Sequence, residues 1–112
     1  MSITRSRGEN LDSNKKQKVL NLLGLAQRAG RLISGEELVV DAIRKGQVKL
    51  VFLAEDAAPN LTKKITDKSK TYQVEVVTAF STLELSIAVG KSRKVLAVTD
   101  AGFTKKMRSI ME

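Results

Sequence analysis

Leu50-Val51-Phe52-Leu53-Ala54 is an unbroken apolar run, flanked by Val48-Lys49 and Glu55-Asp56. Successive side chains of a strand point to opposite faces of its sheet, so a strand with one wet face alternates apolar and polar residues. A run without that alternation needs apolar cover on both sides, and the segment reads as a central strand.

The sequence on either side offers the cover. Upstream, Ser34 followed by Glu37 has the spacing of a capping box, so a helix is expected from Gly35 to Gly46. Its buried face takes Leu38, Val39, Ala42 and Ile43, and its wet face Glu37, Asp41, Arg44 and Lys45. Arg31 to Ser34 leaves room only for an edge strand. Before it, Val19, Leu22, Leu23, Ala26 and Ala29 fall at helical spacing from Asn14 to Ala29, with Gln17, Asn21, Gly24 and Arg28 opposite and Gly30 closing the helix.

Downstream, Glu55 to Pro59 reads as a loop, and Asn60 as the cap of a third helix reaching about Lys70 with Leu61 and Ile65 inward. Val74 to Val77 forms a strand. Ser81-Thr82-Leu83-Glu84 repeats the capping-box pattern and starts a helix ending near Gly90. Val95 to Val98 gives the last strand, and Phe103, Met107, Ile110 and Met111 mark a terminal helix after Asp100. Strands alternating with helices predict an α/β fold, a three-layer α/β/α sandwich with a small, mainly parallel four-stranded sheet. Residues 1–13 carry little to bury and are expected to be a flexible tail, leaving 14–112 as a single domain.

Composition narrows the chemistry. Twenty Lys and Arg against twelve Asp and Glu give a net charge of +8, which attracts a polyanion before any specific contact forms. The chain has neither Cys nor His, which removes disulfides, thiolate metal sites and the commonest general bases, so catalysis is not expected and a reducing cytoplasm is the simplest compartment. No apolar run has the length of a membrane span.

The charge is unevenly placed. Between Ser13 and Ser34 stand Lys15, Lys16, Lys18, Arg28 and Arg31 without one acid, leading to the helix start at Gly35, where free N–H groups favour phosphate but Glu36 and Glu37 also answer the dipole. A second cluster is Gly90-Lys91-Ser92-Arg93-Lys94. Its Gly-Lys-Ser is not a nucleotide phosphate loop, because Leu85 stands where that motif has its first glycine and the segment ends a helix instead of opening one. Glu55, Asp56 and Asp100 follow strands expected to be parallel and are the only acids arranged to suggest a divalent-metal enzyme; they equally suit turns and caps.

Taken together, Leu23-Gly24-Leu25-Ala26-Gln27-Arg28-Ala29-Gly30, Ser34-Gly35-Glu36-Glu37, Val48-Lys49-Leu50-Val51 and Leu53-Ala54-Glu55-Asp56 resemble the kink-turn RNA-binding family of large-subunit ribosomal proteins, over about Lys15 to Asp100. The resemblance implies the same sandwich and an RNA grip made by Ser34 to Asp41, Glu55 to Pro59 and Ala88 to Arg93. The family's G-x-N-E-x-x-K pattern reads here Gly35-Glu36-Glu37-Leu38-Val39-Val40-Asp41, keeping only the glycine. Leu38 cannot hydrogen-bond to a base, Asp41 has the opposite charge to the family's lysine, and Asp41 can pair with Lys45 one turn on.

The expected function is therefore non-catalytic binding of structured RNA, ribosomal RNA above all, by a monomer with no cofactor and with ribosomal proteins as neighbours. Arg28, Arg31, Lys91, Arg93 and Lys94 would hold phosphates, with Ser34, Gly35, Glu36, Glu37 and Ser92 at the backbone or base edges. The competing reading is a protein-interaction module within a ribonucleoprotein assembly. Salt separates the two, since phosphate contacts weaken steeply with ionic strength and an apolar interface barely responds.

Overall fold

In the computed structural model the apolar run becomes β3 (Leu50–Leu53), buried throughout. The structure describes residues 11–112 and the backbone of Ser6–Arg7. The other elements are β1 (Ser6–Arg7), α1 (Ser13–Arg28), β2 (Leu32–Ser34), α2 (Glu36–Arg44), α3 (Pro59–Thr71), β4 (Glu75–Val77), α4 (Thr82–Val89), β5 (Val95–Val98) and α5 (Ala101–Met111).

The pleat of the central strands sorts the core into two layers. Leu50 and Phe52 of β3, with Leu96 and Val98 of β5, meet Val19, Leu22, Leu23 and Ala26 of α1, Leu85 and Val89 of α4, and Met107 and Met111 of α5. Val51 and Leu53, with Val95 and Ala97, meet Val39, Val40, Ala42 and Ile43 of α2 and Ile65 of α3. The three-layer α/β/α sandwich is therefore the observed architecture.

Strand direction differs from the expectation. The sheet order is β1-β4-β3-β5-β2; β4 runs parallel to β3 and β1, while β5 runs antiparallel to both β3 and β2. The sheet is thus mixed, not mainly parallel, and the two-residue β1 joins the four expected strands. A strand buried on both faces reads the same in either direction, so its sequence carries no sign of orientation. One consequence disposes of the metal reading. Asp56 follows β3 and Asp100 follows β5, so antiparallel pairing of Leu50 with Val98 and Leu53 with Val95 sends the two carboxylates to opposite edges of the sheet. No metal-binding group of three or more His, Cys, Asp or Glu occurs among the described residues.

Several local expectations are also corrected. The N-cap of α2 is Gly35 at φ 97°, a backbone angle suited to glycine, and it has no side-chain cap; Ser34 lies one residue outside and the Ser34–Glu37 capping box does not form. Leu38 is 64% exposed instead of buried, and Val40 takes its place in the core. At α3, Pro59 occupies the first turn, where its missing N–H costs nothing, and Ala58 rather than Asn60 is the N-cap. The Ser81–Glu84 capping box is present at α4, and Gly90 closes that helix in the left-handed conformation.

Gly24, expected on the wet face of α1, instead faces α4: a Cβ there would lie 3.0 Å from the carbonyl oxygen of Ala88. Its lack of a side chain lets the two helices approach. Of the span 1–13 expected to be a flexible tail, Asp12 caps α1 by accepting from the Lys15 N–H, and the helix starts at Ser13. Ser6–Arg7 pair with β4, and the rest of that expected tail, residues 1–5 and 8–10, lies outside the described residues. No described helix is long and apolar enough to cross a membrane.

Candidate nucleic-acid interface

The antiparallel setting of β5 brings distant segments to one edge. Pairing of Leu53 with Val95 sets the loop after β3 beside the loop before β5, and pairing of Ser34 with Leu96 sets the start of α2 next to both. Backbone hydrogen bonds close this edge: Ala54 N–H donates to the Lys94 carbonyl at 2.8 Å and Gly35 N–H to the Val95 carbonyl at 3.3 Å. Residues 34–38, 54–58 and 90–94 thus form one surface.

Arg93 is held across it. Its Nε donates to Ser34 Oγ at 2.8 Å and its Nη1 to the Ser92 carbonyl at 2.7 Å, while its backbone N–H donates to Ser86 Oγ at 3.0 Å. The hydroxyl expected to cap α2 instead fixes a guanidinium. Lys91 and Lys94, on either side of it, are exposed.

The acids of this edge are mostly engaged. Glu36 pairs with Lys64 at 2.8 Å, and that hydrogen bond and charge raise the Lys64 pKa. Asp41 lies 2.9 Å from Lys45 and 3.7 Å from Arg44, in keeping with its expected pairing one turn on. Glu37 and Glu55 are exposed.

Asp56 ties the loop after β3 to α4. One carboxylate oxygen accepts from the Thr82 N–H at 2.9 Å and from Thr82 Oγ1 at 2.8 Å, and these hydrogen bonds hold its pKa below the ordinary carboxylate value. A lowered folded-state pKa means that the unfolded chain binds the proton more tightly, so the tie stabilises above the unfolded pKa and is lost as pH falls through the folded one. Thermal melts of wild type and Asp56→Ala are therefore expected to differ near neutrality and to converge toward pH 2–3, roughly below the unfolded carboxyl value near 4. A constant gap across that range would contradict the assignment.

Glu84 is held below its usual pKa as well: burial pushes it up, but the Ser81 N–H at 2.9 Å and the Lys16 ammonium at 3.3 Å outweigh that. Lys16 also stands over the Phe80 ring, 5.5 Å from its centre, and Lys15 donates to the Glu112 carbonyl at 3.0 Å. Two cations of the acid-free segment thus serve the fold.

The remaining expected site residues separate. Ser34, Gly35, Glu36, Glu37, Lys91, Ser92, Arg93 and Lys94 share the edge. Arg28 ends α1 and lines a groove against α4 that Val89 and Gly90, next to Lys91, also line. Arg31 is elsewhere: it precedes β2 at the end where Leu32 pairs with Val98, and its Nε is 3.9 Å from Asp100. Sequence reading missed the apolar side of the edge, where Leu83 and Ile87 of α4 are 68% and 72% exposed. Those residues sit at i and i+4 on a helix apolar on several faces, so periodicity did not distinguish them from Leu85 and Val89.

Residues 17–108 match the model of the "Ribosomal protein L7Ae/L30e/S12e/Gadd45 family". The chain belongs to this family. Within it, the chain is similar to bacterial proteins called "RNA-binding protein YlxQ": 45% identical over 102 residues to that of Enterococcus faecium, covering 91% of this chain and 99% of the relative. Identity to the protein of that name from Bacillus subtilis (strain 168) is 47% over 92 residues, covering 81% and 92%. Among solved structures, "a protein with unknown function from Bacillus halodurans C" superposes with a TM-score of 0.80 at 45% identity, covering 84% of this chain and 96% of that one. The "Giardia lamblia 15.5kD RNA binding protein" has a TM-score of 0.78 at 17% identity over 90% and 88% of the two chains, and shares the family's fold.

Proposed function

We propose that this chain binds structured RNA, ribosomal RNA in first place, and that it acts as a cytoplasmic monomer without a cofactor, by binding and not by catalysis. The observation that carries the reading is the meeting of the start of α2 with Lys91, Arg93 and Lys94 on one edge, with Arg93 anchored to Ser34 Oγ at 2.8 Å. An anchored guanidinium beside exposed ammonium groups loses little freedom on meeting a phosphate, and it offers planar donors. The names of the relatives, which describe RNA binding, support the same reading.

The mode of reading departs from the family's pattern. Leu38, exposed where the family has a glutamate, adds an apolar contact in place of a hydrogen bond, and Asp41 is engaged by Lys45 and Arg44. Lys91, Arg93 and Lys94 hold phosphates, with Arg28 flanking them, while the exposed Glu37 can accept from a base amino group. Arg31, beside Asp100, lies away from this surface.

Ultraviolet cross-linking in cells followed by RNA sequencing tests the proposal. Enrichment of a defined ribosomal RNA site by wild type, lost in a Lys91→Ala, Arg93→Ala, Lys94→Ala variant, is the expected result. Recovery that is indiscriminate, or unchanged in the variant, would overturn it in favour of a protein-interaction module.

A further inference from the structure

α1 and α4 lie side by side and enclose an open groove of about 810 Å³ on the outer face of their layer. Its floor exists because Gly24 presents no side chain to Ala88. The walls are Gln17, Asn21 and Leu25 from α1 and Ile87 from α4, with Arg28 and Gly90 at the end nearest the basic loop. Leu25 is 48% exposed, although burying it on either core face would have stabilised the fold. The lining residues from Gln17 to Arg28 span about 16 Å at the 1.5 Å rise of a helix, the length of three helical turns.

The charges around the groove are one-sided. α1 contains no acid; Lys18 is exposed three residues before Asn21, and Arg28 and Lys91 stand at or just beyond the far end. The one acid among the described lining residues, Glu84, is bound to the Ser81 N–H and to Lys16. RNA is a poor occupant, since among the described residues Arg28 is the only cation that lines the groove and phosphates need several, whereas Leu25 and Ile87 call for apolar partners.

We infer that the α1–α4 groove is a docking site for an amphipathic helix of a partner protein, about three turns long, with apolar residues at i, i+3 or i+4 and i+7 and acids on its flanks. Leu25 and Ile87 receive the apolar stripe. The amides of Gln17 and Asn21 meet its polar edge, and Lys18 and Arg28 its acids. The groove borders the RNA edge only at Arg28 and Gly90, and its apolar part, Leu25 and Ile87, is not used in RNA binding, so one polypeptide would join an RNA edge to a protein-facing groove.

The test places a photo-reactive amino acid at Asn21 in the full chain, cross-links in cells and identifies the attached segment by mass spectrometry. A synthetic peptide of that segment is then titrated by fluorescence anisotropy against wild type, Leu25→Asp and Gln17→Glu. Both substitutions are on the exposed side of α1, and circular dichroism and RNA affinity check that each variant is folded and intact at the other edge. An acidic amphipathic segment that binds wild type, and binds each variant at least tenfold more weakly while RNA affinity is unchanged, is the expected result. Attachment to RNA, to a second copy of this chain or to nothing, or a peptide indifferent to both variants, would overturn the inference.

Discussion

Replacing Lys91, Arg93 and Lys94 together by alanine is expected to lower the affinity for its RNA by on the order of 100-fold near 0.1 M salt. Each cation that neutralises a phosphate releases condensed counterions, with about 0.7 to 0.9 of a unit of log-log salt slope per contact, so losing three contacts should flatten the slope by roughly 2 to 3. The two readouts are independent. A variant that merely perturbed the fold would lose affinity without a defined change of slope; Lys91 and Lys94 are exposed, and circular dichroism checks that losing the Arg93–Ser34 hydrogen bond leaves the fold intact. Filter binding or anisotropy from about 0.05 to 0.5 M salt measures both, over the range in which ionic contacts respond most. An unchanged slope would show that these side chains touch no phosphate.

The second large effect is on the fold. Phe52 is fully buried in β3, packs tilted against Phe80 with ring centres 5.8 Å apart, and belongs to the layer formed with α1, α4 and α5. Phe52→Ala removes that apolar surface and leaves a cavity that neighbours on a hydrogen-bonded sheet cannot close, a change costing about 3 to 5 kcal/mol. Domains of this size have total stabilities of roughly 5 to 15 kcal/mol, and the melting temperature should drop by on the order of 15 °C. Denaturant titration and thermal circular dichroism read the two quantities. A loss below about 1 kcal/mol would mean that the site relaxes freely, which close packing does not allow.

Much of the fold was legible in local patterns. The run Leu50 to Ala54 required cover on both faces, the Ser81–Glu84 capping box forms as its spacing implied, and Asp100 accepts the Phe103 N–H at 2.8 Å as a helix cap. These depend on residues within a turn of one another. The basic cluster from Gly90 to Lys94 was legible too, because its charge and its glycine are properties of the segment itself.

The candidate site was less so. Ser34 followed by Glu37 satisfies the spacing of a capping box, but the competing donor that claims the Ser34 hydroxyl is Arg93, 59 residues away. Leu38 and Val40 differ only in which of them meets the sheet, and Gly24 looked solvent-facing because nothing in α1 announces the approach of Ala88. Arg28 and Arg31 are three residues apart in sequence, yet one lines a groove against α4 and the other faces Asp100.

From local patterns alone the five helices, the four main strands, the three layers, the excess of positive charge and the absence of cysteine and histidine chemistry were legible, since periodicity, caps and composition are local quantities. Strand direction belonged to the tertiary structure alone. The antiparallel placement of β5 between β3 and β2 divides Asp56 from Asp100 and gathers Ser34, Gly35 and Lys91–Lys94 on one edge. Which side chains become neighbours across a sheet is set by pairing energies summed over the whole core, and a strand buried on both faces carries no mark of its direction.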